Sequence, residues 1–106
     1  MEEKYYIGTD LKFQITVTAD GFDQATDEYT VDLYCGDAYG GCSHISIPST
    51  DIVEDQGDYF LLVETSRLKP GKLTMVLTAY VPDVDFPAGV RKEVVVQDLA
   101  VIKSVI

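Results

Sequence analysis

The chain has 106 residues, 46% of them hydrophobic and 25% charged, which is ordinary for a single globular domain spanning 1–106. Its formal net charge is −10, from 18 acidic and 8 basic residues, and such a surface repels the phosphates of nucleic acid. No apolar run approaches the roughly 20 residues that cross a bilayer, and the acidic N-terminus lacks the apolar segment of a secretory signal. We therefore expect neither nucleic acid nor a membrane as a partner.

Alternation of apolar and polar residues is the pattern of a strand with one buried face and one wet face. It is unbroken over 11–18, where Leu, Phe, Ile and Val alternate with Lys, Gln and Thr. Similar segments between turn residues predict strands at 10–18, 29–35, 44–47, 52–53, 59–64, 72–81 and 90–97. We expect 72–81 to be the longest of them. Segment 99–105 is either a further strand or an extension of the last one past a kink near Asp98.

About seven short antiparallel strands predict an all-β, immunoglobulin-like sandwich, and a small barrel is the alternative. Segment 65–71 has the composition of a corner that carries the chain from one sheet to the other. Antibody-type domains carry a Cys…Trp…Cys signature, and this chain has no tryptophan. The immunoglobulin likeness is therefore one of architecture only.

Two cysteines, Cys35 and Cys42, flank a loop that contains three glycines. The loop is flexible enough for a disulfide, and two free thiols are the other interpretation. With His44, and Asp37 as a fourth ligand, the cysteines offer a zinc set, but structural zinc sites use more closely spaced pairs. A cysteine nucleophile with His44 as its base lacks a third, orienting group. We expect no metal and no cofactor, and we expect His44 to point to water.

Acidic residues can bind calcium, and pairs of them can cleave glycosides. Asp83 and Asp85 begin like a calcium loop, but Phe86 and Pro87 occupy positions where an EF-hand needs ligands and a glycine. A looser site that also uses Asp51 or Asp55 is the alternative to a solvated polar loop. Paired carboxylates arise by chance in so acidic a chain. We predict that the protein is not an enzyme.

Seven tyrosines exceed what a core of this size needs. Tyrosine is enriched where one end of the ring is buried and the other is wet, as at interfaces and sugar-binding surfaces. Tyr34 and Tyr80 fall on the predicted outer faces of their strands, and Tyr39 lies in the glycine-rich loop. These three tyrosines are candidate binding residues.

A resemblance to a known class of proteins rests on three segments. They are Gly8-Thr9-Asp10-Leu11-Lys12-Phe13, Thr65-x-x-Leu68-x-Pro70-Gly71-x-Leu73 and Tyr80-Val81-Pro82-Asp83-x-Asp85-Phe86-Pro87-x-Gly89-x-Arg91-x-Glu93-Val94. The pattern resembles small β-sandwich proteins of phages and prophages of gut bacteria that look like tail or baseplate components. The resemblance implies a structural, oligomer-forming module, and it provides no catalytic residue.

The loop in the third segment also has a physical interpretation. Asp83 and Asp85 can accept hydrogen bonds from the backbone or from Arg91, and Gly89 permits a positive φ. We expect a fixed structural clasp, whose contacts would be Asp83, Asp85 and Arg91 if it binds anything.

The function predicted from these observations is a structural subunit of a virion tail or baseplate, or of a cell-surface assembly, that packs against other protein subunits as a homo-oligomer or a larger assembly. The alternative is a secreted or cell-surface immunoglobulin-like module that binds carbohydrate or a host protein.

Overall fold

The structure is a computed structural model that describes residues 3–37 and 39–105. Over these residues the chain forms eight strands and two single turns of 3₁₀-helix, at Ser49–Asp51 and Thr65–Arg67. The strands are β1 (Lys4–Tyr6), β2 (Asp10–Gln14), β3 (Tyr29–Asp37), β4 (Gly41–Pro48), β5 (Val53–Asp55), β6 (Asp58–Glu64), β7 (Gly71–Pro82) and β8 (Val90–Lys103).

The strands form two packed sheets, so the predicted all-β sandwich is confirmed. The larger sheet has the order β1-β8-β7-β3-β4 and the smaller has the order β2-β6-β5. Every pairing is antiparallel except that of β1 with β8. The order β8-β7-β3-β4 corresponds to strands G-F-C-C′ of an immunoglobulin-like domain, and β2-β6-β5 corresponds to B-E-D. In that scheme a strand A lies beside strand B, whereas no strand in 3–37 or 39–105 pairs with the outer edge of β2.

The core lies between the inward faces of β3 and β7 on one side and those of β2 and β6 on the other. Alternate residues of β7 are buried from Leu73 to Val81, and alternate residues of β3 are buried from Tyr29 to Cys35. Leu61 and Val63 of β6 cover them from the smaller sheet. This alternation is the physical reason that the sheets pack, since each strand presents one apolar face.

The corner that follows β6 carries the chain into the larger sheet, as predicted. Thr65 is fully buried there, and its hydroxyl donates to the Thr9 carbonyl (2.7 Å) and accepts from the Gly8 N–H (2.9 Å). A buried hydroxyl is stable only when it is hydrogen-bonded. The segment that joins β1 to β2 is therefore fixed to this corner.

Three sequence expectations needed correction. The strand predicted over 10–18 is β2, and it ends at Gln14. The side chain of Gln24 hydrogen-bonds to the backbone that follows: its N–H donates to the Ile15 carbonyl (3.0 Å), and its oxygen accepts from the Val17 N–H (3.1 Å). The parallel strand β1 was not predicted. The longest strand is β8, not β7, because it continues past an irregularity at Leu99, which has no partner in the β7 register.

Adjacent leucines on opposite faces of β6 test this arrangement. Leu61 is fully buried and Leu62 is 53% exposed. Because Leu61→Ala removes core packing, we expect it to lower the free energy of unfolding by about 2–5 kcal/mol. Leu62→Ala is the matched control and should change it by no more than about 0.5 kcal/mol. Urea unfolding followed by circular dichroism measures both, and equal losses would contradict the assigned faces.

Candidate functional site

The six candidate binding residues lie at two opposite ends of the larger sheet. Tyr34 pairs with Thr74 near the start of β7, whereas Tyr80 lies six residues further along β7, roughly 20 Å away at the usual rise per residue. Tyr39 lies in the β3–β4 loop near Tyr34, and the other three lie near Tyr80 in or beside the β7–β8 loop. The structure therefore does not bring the six residues together.

Tyr34 stands on the outer face of β3 and stacks on His44 of β4. The ring centroids are 4.5 Å apart and the ring planes differ by 4°. His44 Nε2 lies 2.8 Å from Asp32 Oδ1, so a carboxylate holds the imidazole in place under the tyrosine. His44 points away from the core, as predicted. The sequence did not predict the pairing with Asp32, although the two residues occupy the same face of paired strands.

Tyr39 is fully exposed at the tip of the β3–β4 loop. The Asp37 carboxylate accepts hydrogen bonds from the backbone N–H groups of Gly40 (2.5 Å) and Tyr39 (2.8 Å), and these bonds lower the pKa of that carboxyl. Lys69 Nζ donates to the Gly40 carbonyl (3.3 Å). These hydrogen bonds hold the backbone of Tyr39 and Gly40, while the tyrosine ring projects into solvent.

The β7–β8 loop is the clasp that the sequence predicts. Asp83 accepts from the Asp85 N–H (3.0 Å) and from the Arg91 guanidinium (2.7 Å), which also donates to the Asp20 carbonyl (3.0 Å). The backbone bond first and the guanidinium second hold the pKa of Asp83 below its usual value. Gly89 has φ +78°, as the turn requires. Asp85 contributes its backbone, and its carboxylate has no hydrogen-bond partner among the described residues.

The two cysteines are free thiols and do not form the disulfide considered above. Cys35 is opposite Ser43 and Cys42 is opposite Gly36, so the side chains of Cys35 and Cys42 leave the sheet on different faces. Cys35 is buried in the core and Cys42 is exposed. Burial raises the pKa of the Cys35 thiol to about 11, with a smaller contribution from Cys42.

The same geometry separates the ligands of the zinc alternative, since Cys35 faces the core while Cys42 and His44 face outwards. Within the described ranges, no group of three or more His, Cys, Asp or Glu side chains is arranged to hold a metal ion. The helical segments in those ranges are single 3₁₀ turns, far too short to cross a bilayer.

The most unusual surface was not identified from the sequence, and it lies along β8. Val94, Val95 and Val96 are 60%, 52% and 65% exposed. Val95 is exposed because β1 pairs only with residues 101–103 of β8, so that the edge from Val90 to Leu99 has no partner strand in the described chain. Val94 and Val96 lie on the outer face of the larger sheet, opposite Thr78 and Val76 of β7. The sequence carries one signal of this: three consecutive apolar residues cannot all lie on one buried face of a strand.

The free edge has a defined polarity. The Val101 N–H donates to the Glu3 carbonyl (2.9 Å) and the Lys103 carbonyl accepts from the Ile7 N–H (2.9 Å). At this end of β8, the backbone groups of odd-numbered residues therefore point towards β1. The irregularity at Leu99 reverses the alternation. The backbone groups of five residues therefore point to the free edge: Val90, Lys92, Val94, Val96 and Asp98. The bond from the Tyr80 N–H to the Glu28 carbonyl (3.0 Å) supports this, because it shows that even-numbered residues of β7 bond towards β3. Odd-numbered residues of β7 therefore bond to odd-numbered residues of β8, and the even-numbered residues of β8 point to the free edge.

A groove of about 460 Å³ runs between this edge and segment 13–19 of the smaller sheet. Its floor is formed by apolar residues of β7, namely Met75, Leu77 and Ala79. Val95, together with Glu93 and Gln97, faces inwards from β8, as their pairing with these floor residues requires. One carboxylate oxygen of Glu93 is buried without a hydrogen-bond partner in the described structure. The groove lies where strand A would be in an immunoglobulin-like domain.

Comparisons with protein-family models, with curated proteins and with solved structures found no match.

Protonation of Asp83 should weaken the clasp. Because the folded-state pKa of Asp83 is lowered, its contribution to stability is complete above the unfolded-state value, about 3.9, and is lost as the pH falls through the folded-state value. We expect Asp83→Asn to destabilise the protein at pH 7, and the difference from wild type to shrink steadily below about pH 4. Asp85→Asn is the control and should differ from wild type by no more than about 0.5 kcal/mol. Urea unfolding at pH 7, 4, 3 and 2 measures both, and a pH-independent Asp83→Asn difference would refute the clasp.

Thiol titration tests the cysteine assignment. At pH 8 we expect Ellman's reagent to label one thiol of the native protein rapidly and the second only in denaturant, because Cys35 is buried with a pKa of about 11. In Cys42→Ser the rapid phase should disappear. Two unreactive cysteines in unreduced, denatured protein would instead indicate a disulfide.

Proposed function

We propose that this protein is a non-enzymatic assembly module, a subunit of a phage or prophage tail or baseplate that docks onto other protein subunits through the free edge of β8. The observation that carries the proposal is the exposed Val94–Val96 run on a strand edge whose hydrogen-bonding groups have no partner in 3–37 or 39–105. Such an edge is a template for strand addition by another chain.

The adjoining groove supports the same function. A docking strand gains main-chain hydrogen bonds at the edge, and its alternate side chains can enter an apolar groove floored by Met75, Leu77 and Ala79. Contact with this surface would also remove Val95 from water. The tail or baseplate identity comes from the sequence resemblance, which implies an oligomer-forming module.

In residues 3–37 and 39–105, the candidate chemical groups lie in separate structural contacts, and this arrangement favours binding over catalysis. His44 is paired with Asp32, and Asp83 and Arg91 are committed to the clasp. A catalytic site requires such groups to meet around one position. The carbohydrate-binding alternative depends on a different surface, the stacked Tyr34 and His44 on the outer face.

Particle incorporation tests the proposal directly. Phage particles released by the bacterium that carries the gene are purified, and the protein is localised by mass spectrometry and immunogold electron microscopy. We expect wild-type protein in the tail or baseplate and at least about tenfold less Val96→Lys, since a loss of only about 1.4 kcal/mol in docking free energy has that effect. We expect the lysine to weaken docking because a charged side chain on a free sheet edge opposes strand addition.

Leu62→Lys is the matched control. Leu62 is also an exposed apolar residue, at 53%, but it lies on the central strand of the smaller sheet, so this variant should be incorporated normally. Unfolding curves must show that both variants are folded. Particles that lack the protein, together with glycan-array binding that requires Tyr34, would overturn the assembly function in favour of a carbohydrate-binding module.

A further inference from the structure

We propose that two copies of this chain pair through the free edges of β8 as an antiparallel, two-fold dimer with Val95 of each copy on the symmetry axis. The inference rests on the proposed function, because it names the occupant of the same edge. It is derived from the polarity of the edge and from the order of side chains along β8.

The first constraint is the backbone. Lys92, Val94, Val96 and Asp98 direct their N–H and C=O groups to the free edge, so any antiparallel partner must place such residues opposite one another. A two-fold axis through Val95 meets this condition. Val94 then lies opposite Val96 of the second copy, and Lys92 lies opposite its Asp98.

The second constraint is charge on the outer face. In the Val95-centred register, each Lys92 ammonium lies opposite an Asp98 carboxylate of the second copy, and symmetry makes the pair twice. Asp98 also binds Lys72 (3.3 Å) and Thr74 (3.0 Å), but its side chain is 44% exposed and can accept a further donor. Three of the eight basic residues lie on β8, so this edge is locally close to neutral in a chain of net charge −10. Opposite charges across paired strands stabilise the pairing and fix its register.

The third constraint is the groove face. The same register places Gln97 of the second copy opposite Glu93, whose buried carboxylate oxygen has no partner in the described part of one chain. The Gln97 amide can donate to that oxygen, and a buried acceptor is costly when it is left unpaired. The two copies of Val95 meet between these pairs, where the two grooves adjoin.

Neighbouring registers lose these contacts. With Val94 on the axis, Lys92 lies opposite Val96; with Val96 on the axis, Asp98 lies opposite Val94. With Glu93 on the axis, two carboxylates oppose each other. The Val95 register is therefore the one that satisfies the charges and the glutamate together.

Cysteine cross-linking measures the register. In a Cys42→Ser background, which removes the exposed thiol, single cysteines are placed at positions 94, 95 and 96 and oxidised at low concentration. Residues on the axis of a non-hydrogen-bonded antiparallel pair have Cα atoms about 4.5 Å apart, within disulfide range. Copies of Val94→Cys or Val96→Cys are diagonal neighbours about 7–8 Å apart, beyond that range.

We expect Val95→Cys to form covalent dimers at least about tenfold faster than the two matched controls, because only its thiols meet across the axis. Faster cross-linking at position 94 or 96 would overturn the proposed dimer, as would equal rates at all three. Non-reducing electrophoresis and intact mass spectrometry provide the readout.

Sedimentation equilibrium tests the association itself, over about 10 μM to about 1 mM because the predicted contact is small. The wild-type mass should rise from one chain to two across this range. Lys92→Glu should weaken the dimer about tenfold, since it places two acidic pairs across the interface. Arg67→Glu makes the same change in net charge on the corner after β6 and should leave the dimer unchanged.

The outcomes separate this inference from the proposed function. A wild-type protein that stays monomeric up to about 1 mM, in the range where so small an interface is measurable, overturns self-pairing. If Val96→Lys still loses its place in particles, the edge binds a different subunit and the assembly function stands. If the protein forms a Val95-centred dimer but is never found in particles, self-pairing is supported and the tail or baseplate function is overturned.

Discussion

The pairing of β7 with both of its neighbours is the constraint on which the rest of the molecule depends. Its odd-numbered residues from Leu73 to Val81 are buried against the smaller sheet, and this fixes which way every other strand of the larger sheet faces. A shift of one residue would expose the entire apolar set. The same register decides which backbone groups of β8 point outwards. The register of β7 therefore determines both which side chains form the core and which backbone groups form the free edge.

Much of the fold could be predicted because alternation is a local property. The buried sets of β3 and β7 are visible in the sequence, as are the corner at Thr65 and the turn at Gly89. What could not be predicted depends on distant partners. β1 is a strand only because β8 offers it an edge. The strand predicted over 10–18 stops early because the Gln24 side chain bonds the Ile15 carbonyl and the Val17 N–H.

The candidate site divides in the same way. The Asp83–Arg91 clasp is local, so its chemistry could be predicted from spacing along the chain. The stacking of Tyr34 on His44 and the bond to Asp32 require the β3–β4 register. Exposure of the inward-facing Val95 requires the full strand order, because another strand paired with the β8 edge would cover it.

Two other sheet edges, those of β4 and β5, contrast with the β8 edge. Natural sheets protect their edges with charge, proline, irregularities or short strands. β5 has three residues, two of them acidic, and β4 ends at Pro48. β8 has an irregularity at Leu99 and basic residues at its start, yet three valines lie unprotected between them. Because the chain carries a net charge of −10, two copies repel each other in most orientations. Lys92 and Asp98 attract a second copy only in the register that places them opposite each other. An edge protected at both ends and open in the middle has the properties of a docking surface, since the charges select the partner and the valines supply the buried contact.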